Sequence, residues 1–356
     1  MSNLLKIWRK NSKQFKEISK KNRFQQFIEI LYYRFHGFSA LSYYGIPLYT
    51  ELGKRSLISE AEYTKAEKYL NPRRSGVVPF NKWIQSCVWK ANGLPHSNTL
   101  GFFNKRIGVL NGATVNLSED TLTSFFSNVN FPVVIKPIDG ANGIGFDVIE
   151  KYESQYNTIT MRKQGTLSIG SFMSFLFDDL ENLEGYILQE YIVQHPDLST
   201  FHEHSVNSLR VVTFMNQDNN YTVDCALMKF GAGKSITDND SVGGRVFAFM
   251  DMNNGSLGKG FTGSLSQRQI EFHPDSHFRI FQYIVPFWKE SLELAIAAHK
   301  LIPYPSHLGW DIAISKEGPI IIEPNSFLAI PVYQKGGNDM SSTGLGRFCK
   351  EFIRGA

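Results

Sequence analysis

The chain has 356 residues, of which 42% are hydrophobic and 20% charged, and a formal net charge of +4. That composition supports large cores in two or three lobes and excludes a disordered chain. Apolar runs stay far below the ~20 residues a membrane span requires, no secretory leader is expected from residues 1–35, and the scattered Cys87, Cys225 and Cys349 fit reduced thiols in a cytoplasmic protein.

Residues 1–75 read as a helical, basic N-terminal segment. The first 35 hold nine Lys or Arg against Glu17 and Glu29. Leu4, Leu5, Ile7, Trp8, Phe15 and Ile18 interleave with the lysines. Such a helix either lies on an anionic membrane surface or packs its apolar stripe on the body and leaves the lysines solvated, the commoner outcome. Because the surplus sits at one end, nucleic acid is not an expected partner. The aromatics Tyr32, Tyr33, Phe35, Phe38, Tyr43 and Tyr44 read as a helix-packing stripe, with sugar stacking as the alternative. Residues 76–130 are expected to form an N-terminal α/β lobe, with a helix over Trp83 to Asn92.

Residues 131–195 open on F-P-V-V-I-K-P-I-D-G-A-N-G-I-G-F-D-V-I-E. Val133 to Ile135 make a short apolar run between Pro132 and Pro137, and Phe146, Val148 and Ile149 resume strand-like composition. Gly140, Gly143 and Gly145, in the same loop as Asn142, let backbone N–H groups approach a phosphate with no Cβ in the way. Lys136 supplies positive charge beside them. A Rossmann or P-loop glycine segment leads into a helix instead, so this pattern reads as a hairpin lid over a nucleotide. A helix is expected around Ile169 to Leu180.

Residues 196–356 are expected to form a larger lobe around an antiparallel sheet. Gly231-Ala232-Gly233-Lys234-Ser235 imitates the end of a Walker A loop, but the glycine that pattern needs at 228 is Met228; a flexible loop near the active site is the better reading. His202-Glu203-His204 lacks the third ligand of a zinc site and reads as a surface or substrate-side loop. Helices are expected over Phe278 to His299 and Gly346 to Phe352. In G-W-D-I-A-I-S-K-E-G-P-I-I-I-E-P-N, residues 309–325, Trp310, Ile312 and Ile314 alternate with Asp311, Ala313 and Ser315, so one strand face is apolar and the other carries Asp311. A three-residue turn over Lys316 to Gly318 pairs Ser315 with Pro319, Ala313 with Ile321 and Asp311 with Glu323. Opposed carboxylates repel, and a divalent cation between them reverses that penalty. Asn325, on the same face, adds a neutral oxygen. This set suits Mg²⁺ that shares its other positions with water and nucleotide phosphates; the alternative is an ordinary polar strand face.

These segments, in this order over about Asn81 to Asn325, resemble the ATP-grasp superfamily of carboxylate–amine ligases. The resemblance implies an α+β ATP-grasp fold with the nucleotide between two α+β lobes. In Y-I-L-Q-E-Y-I it puts Gln189, Glu190 and Ile192 around the adenine and His195 or Asp197 at the ribose; the other reading is a buried strand leaving into a loop at His195-Pro196. Lys82, in F-N-K-W, is similar to a second phosphate-contacting lysine, and Arg210, in N-S-L-R-V-V, to an arginine facing the reacting groups. Within the superfamily, S-V-N-S-L-R-V-V-T, the V-G-G stretch and G-W-D…E-P-N resemble the sugar-transfer-associated ATP-grasp proteins of bacterial surface-polysaccharide synthesis.

The resemblance implies ATP and Mg²⁺ as cofactors and acyl-phosphate chemistry at the larger lobe. Arg210 would stabilise the oxyanion, while Lys229, Asn239, Ser241, Gly243 and Gly244 would shape the acceptor side. The expected product is an amide between an amino acid and a uronic acid of a capsule-type polysaccharide or its precursor, with an ester or a peptide bond still open. Two other readings stay open: a non-catalytic nucleotide-binding partner of a glycosyltransferase complex, and phosphoryl transfer to a sugar. The expected location is the cytoplasm, at the inner face of the membrane if the basic segment docks there.

Overall fold

The computed structural model describes residues 2–19, 21–43, 57–71, 77–104, 107–139, 143–179, 185–237, 246–262, 268–334 and 339–355. Helices α1 (Ser2–Ser19), α2 (Arg23–Phe35), α3 (Glu60–Leu70) and α4 (Lys82–Ala91) come first. Local chemistry starts three of them. Asn22 and Gln25, and likewise Ser59 and Glu62, exchange side chain–backbone hydrogen bonds in capping boxes, and the Asn81 side chain accepts from Ile84 N. Among the described residues no helix is long and apolar enough to cross a membrane.

An eight-stranded sheet follows: β1 (Thr99–Phe103), β2 (Ile107–Leu110), β3 (Ala113–Asn116), β4 (Val133–Pro137), β5 (Asp147–Glu153), β6 (Thr158–Met161), β7 (Gly165–Ser168) and β8 (Tyr186–Glu190), in the order β3-β2-β1-β8-β4-β5-β6-β7. Helices α5 (Glu119–Phe126) and α6 (Ile169–Asp179) cover one face through Leu122, Phe126, Phe172 and Leu176, which pack on Val133, Ile135 and Leu188. The expected division between 76–130 and 131–195 therefore does not follow the sheet. β1 pairs antiparallel with β8, Phe102 opposite Ile187, so the earlier stretch extends the same layer.

The second sheet contains β9 (Ser208–Met215), β10 (Tyr221–Phe230), β11 (Val246–Met250), β12 (Leu257–Thr262), β13 (Arg268–Ile270), β14 (His307–Ile314) and β15 (Pro319–Asn325), in the order β13-β12-β11-β10-β9-β14-β15. Strand alternation gives it two apolar faces. Leu209, Val211, Met228, Trp310 and Ile312 pack beneath Leu294 and Ala298 of α7 (Trp288–Leu301). Val212, Phe214, Cys225 and Leu227 pack against Tyr63 and Ala66 of α3 and Leu345 of α8 (Gly344–Gly355).

Two expectations are corrected here. Helix α7 starts at Trp288 rather than Phe278; Gln282 and Phe287 have positive φ, and Pro286 disfavours helical backbone just before it. In the β14–β15 hairpin, Ser315 and Gly318 exchange backbone hydrogen bonds, so only Lys316 and Glu317 form the turn. Ile314 then faces Pro319 and Ile312 faces Ile321, one residue away from the expected pairing, yet Asp311 still faces Glu323. A β-bulge at Ile322 restores the alignment.

Two buried histidines, His299 in the α7-covered core and His307 beside Tyr63 on the opposite face of the sheet, make acid a stress on the fold. His299 donates from Nε2 to Pro305 O at 2.7 Å and accepts at Nδ1 from Thr213 Oγ1 at 2.8 Å; Trp310 Nε1 donates to the same hydroxyl at 2.8 Å. Burial lowers the pKa of His299 to about 4 and of His307, with a contribution from His299, to about 3. Both folded values lie below the unfolded value, so their stability contribution is complete above about pH 6.5 and is lost as pH falls toward 4. At pH 5 the expected loss is about 2 kcal/mol per histidine. Thermal melts at pH 7 and pH 5 read it: His299→Gln should shrink the acid-induced fall in midpoint, and an unchanged fall rejects this account.

Candidate active site

The outward face of the eight-stranded sheet and the end of the seven-stranded sheet line one cleft. Alternation along β4 decides its upper wall: Val133 and Ile135 enter the helix-covered core, while Val134 and Lys136 line the cleft. Two of the loop glycines are described. Gly145 has φ +70, and a Cβ there would lie 2.6 Å from Pro137 Cγ. Gly143, at φ +72, sits against Thr237 of the loop that follows β10. Gly140 and Asn142 lie outside the described residues, as do Asn239, Ser241, Gly243 and Gly244.

Asp311 and Glu323 line the lower wall, and a charged row continues behind them over the neighbouring strands to Arg210 and Lys229, neither of which lines the cleft. Arg210 on β9 is directly opposite Asp311 on β14, and Asp311 is opposite Glu323 on β15. Arg210 donates from Nε to Asp311 Oδ1 at 2.6 Å and from a terminal nitrogen to Oδ2 at 2.8 Å. Lys229 Nζ on β10 is 3.0 Å from the same Oδ1. Asn325 donates to Asp311 Oδ2 at 3.3 Å. Lys82, in the first turn of α4, reaches Glu323 at 3.5 Å. Its backbone N–H also donates to Ile138 O at 3.1 Å, just past β4.

These charges perturb one another. Burial alone would raise the Asp311 pKa; the Arg210 and Lys229 cations overcome it and hold the carboxyl well below its usual range. Burial pulls the Lys136 ammonium down to about 8; Glu323 opposes that shift, Lys82 adds to it, and Asp311 again opposes it. A lysine so destabilised gains most from an anionic ligand. The expected metal ligands thus come together but are not equivalent. The Asp311 side chain is 5% exposed and already faces two cations, whereas Glu323 is 22% exposed. Asp311 and Glu323 offer carboxylate oxygens, the donor type of a hard divalent cation, while Asn325 turns its amide nitrogen rather than its oxygen to Asp311.

At the hinge, Gln189, Glu190 and Ile192 all line the cleft. The Gln189 amide donates to Thr99 Oγ1 at 3.1 Å and Ser97 O at 3.3 Å, and Glu190 accepts from Asn98 at 3.1 Å, so both also fasten β8 to the segment before β1. His195 and Asp197 are not brought to the lining residues. His195 Nδ1 instead accepts from Asp197 N at 3.2 Å, capping a single turn, and its ring packs on Phe287.

Sequence reasoning missed several residues. Arg162, in the turn after β6, lines the cleft, donates to Glu150 at 2.5 Å and to His204 O at 3.3 Å, and lies over the Tyr191 ring at 5.6 Å. The buried Asp147 carboxylate accepts from Lys163 N and Gln164 N at 3.0 and 3.3 Å, which fixes that turn. Tyr333 accepts from Arg210 at 3.4 Å. The loop after β10 is held by His202 on Ser235 O at 3.0 Å and His273 on Gly231 O at 2.9 Å, which gives His202 a structural partner.

Two α+β lobes closed over a cleft with lysines on one side and paired carboxylates on the other define an ATP-grasp fold. The chain belongs to the sugar-transfer associated ATP-grasp family, whose model matches residues 61–337. No curated protein gives a significant match. Similar solved structures include the VanG D-Ala:D-Ser ligase of Enterococcus faecalis, at 12% identity and TM-score 0.47 over 79% of this chain and 62% of that one. Biotin carboxylase of Campylobacter jejuni is 12% identical, TM-score 0.45, over 78% and 46%. D-alanine–D-alanine ligase of Bacillus anthracis is 11% identical, TM-score 0.41, over 85% and 73%.

Proposed function

We propose that the chain is an ATP-dependent carboxylate–amine ligase that joins an amino acid to a uronic acid of a bacterial surface polysaccharide or its precursor. The observation that carries the ligase reading is that Asp311 and Glu323 share one cleft with Lys136 and Lys82, with Arg210 and Lys229 paired to Asp311 behind them. Lys136, Lys82 and the lid backbone hold the ATP phosphates. Asp311, Glu323 and Asn325 would hold Mg²⁺, which supplies charge neutralisation of phosphate oxygens as the γ-phosphoryl group moves. A carboxylate oxygen of the acid takes that group and ADP departs, leaving an acyl phosphate. The amine attacks the acyl carbon, phosphate leaves, and the amine proton passes to solvent. Arg210 stabilises the developing oxyanion, Lys229 with Asn239, Ser241, Gly243 and Gly244 serves the acceptor side, and the lid keeps water from the acyl phosphate. The sugar acid is taken from the family's association with sugar transfer.

The test is ADP release from Mg-ATP across a grid of amino acids and uronic-acid sugars, with mass spectrometry of the products. Release that needs both partners, with a product one water lighter than their sum, supports the proposal. A sugar phosphate ester instead identifies a phosphotransferase. Tight Mg-ATP binding without turnover points to a non-catalytic nucleotide-binding partner.

A further inference from the structure

Helix α2 uses only half of its apolar surface. Ile30 and Tyr33 enter a small core with Phe38, Tyr43 and Leu57, against which Leu4, Ile7 and Trp8 of α1 pack. The outer side carries Phe24, Ile28, Leu31 and Phe35, at spacings of four, three and four, which align on one helix face. They are 73%, 50%, 42% and 88% exposed, a contiguous stripe about 16 Å long. Soluble surfaces rarely leave so many large apolar side chains in one line without a partner.

Charge identifies the partner. On α1, Lys6, Arg9, Lys13 and Lys16 are exposed at spacings of three, four and three, a second stripe that is wholly basic. Arg34 is exposed beside the apolar stripe. The acid that would offset them on α2, Glu29, is taken up by Lys21 at 2.8 Å and by Tyr43 at 2.7 Å. We infer that the α1–α2 pair is a membrane-docking surface, with the α2 stripe entering the headgroup–acyl boundary of an anionic bilayer and the α1 cations on its phosphates. An in-plane helix needs this combination of large apolar side chains and flanking cations. A second copy of the chain is disfavoured, because a two-fold contact through this surface would oppose like charges. The inference is independent of which acid and amine the cleft joins.

The test is co-sedimentation of the full chain with phosphatidylcholine vesicles, with and without phosphatidylglycerol, at low and high salt. Binding is expected only with the anionic lipid and should weaken with salt. Phe24→Ser with Phe35→Ser should weaken it at least about tenfold, and Lys6→Gln with Lys13→Gln and Lys16→Gln should remove most of the salt dependence. Circular dichroism and thermal melts of both variants should match the parent. Absence of vesicle binding, or binding that neither variant changes, overturns the inference. So does a concentration-dependent dimer that Phe24→Ser with Phe35→Ser dissolves while the parent ignores vesicles.

Discussion

Asp311→Asn is expected to cost both stability and turnover, whereas Glu323→Gln should cost turnover alone. Asp311 is the counter-charge for Arg210 at 2.6 and 2.8 Å and for Lys229 at 3.0 Å. An amide in its place removes the anion that these two largely buried cations share, and breaking one side of a buried pair costs about 3–5 kcal/mol. The thermal midpoint should therefore fall by about 10 °C. Glu323 pairs with Lys82 at a looser 3.5 Å and is partly open to the cleft, so its midpoint should stay within about 2 °C of the parent. ADP release with Mg²⁺ should fall at least about a thousandfold in both, since each removes a carboxylate from the proposed cation site. An unchanged midpoint for Asp311→Asn removes the clamp argument. Full Mg-dependent turnover in Glu323→Gln removes the metal assignment.

The contrast between these two carboxylates also shows where sequence reading stops. That Asp311 and Glu323 face each other followed from strand alternation plus a hairpin, and it survived although the turn was shorter than expected, because the Ile322 bulge compensated. Lys136 was legible for the same reason: a lysine after a three-residue apolar run, beside glycines, alternates to the polar face. The two cations on Asp311 were not legible as a cluster. Lys229 meets it only because β10, β9 and β14 are neighbours in the sheet, and strand order depends on contacts distant in sequence. Arg162 left no local signal, since its place rests on Asp147 capping a turn 16 residues away. The single-sheet union of β1–β3 with β4–β8 was hidden likewise: it depends on β1 and β8 pairing across a long stretch of intervening chain.

Nucleotide affinity should depend on pH through Lys136. In the free protein its ammonium is held near a pKa of about 8 by burial, while triphosphate oxygens bind only the charged form. Affinity should then be full below about pH 7 and fall up to tenfold per pH unit above 8, with a proton taken up on binding as the phosphates restore the lysine toward its ordinary value. Calorimetry in buffers of different ionisation enthalpy reads that uptake directly. Lys136→Met should weaken ATP binding by about a hundredfold, the scale of one charge-assisted hydrogen bond in a dry site, and abolish the uptake near pH 8. Lys136→Arg keeps a cation that does not titrate in this range, so its affinity should be flat with pH over the interval where the parent's falls. Because all three proteins bind the same ATP, the protonation of the nucleotide itself cancels in the comparison. Parallel pH profiles in the parent and Lys136→Arg would mean that this lysine does not meet the phosphates, and the glycine loop would then have to be assigned to some role other than closing over a nucleotide.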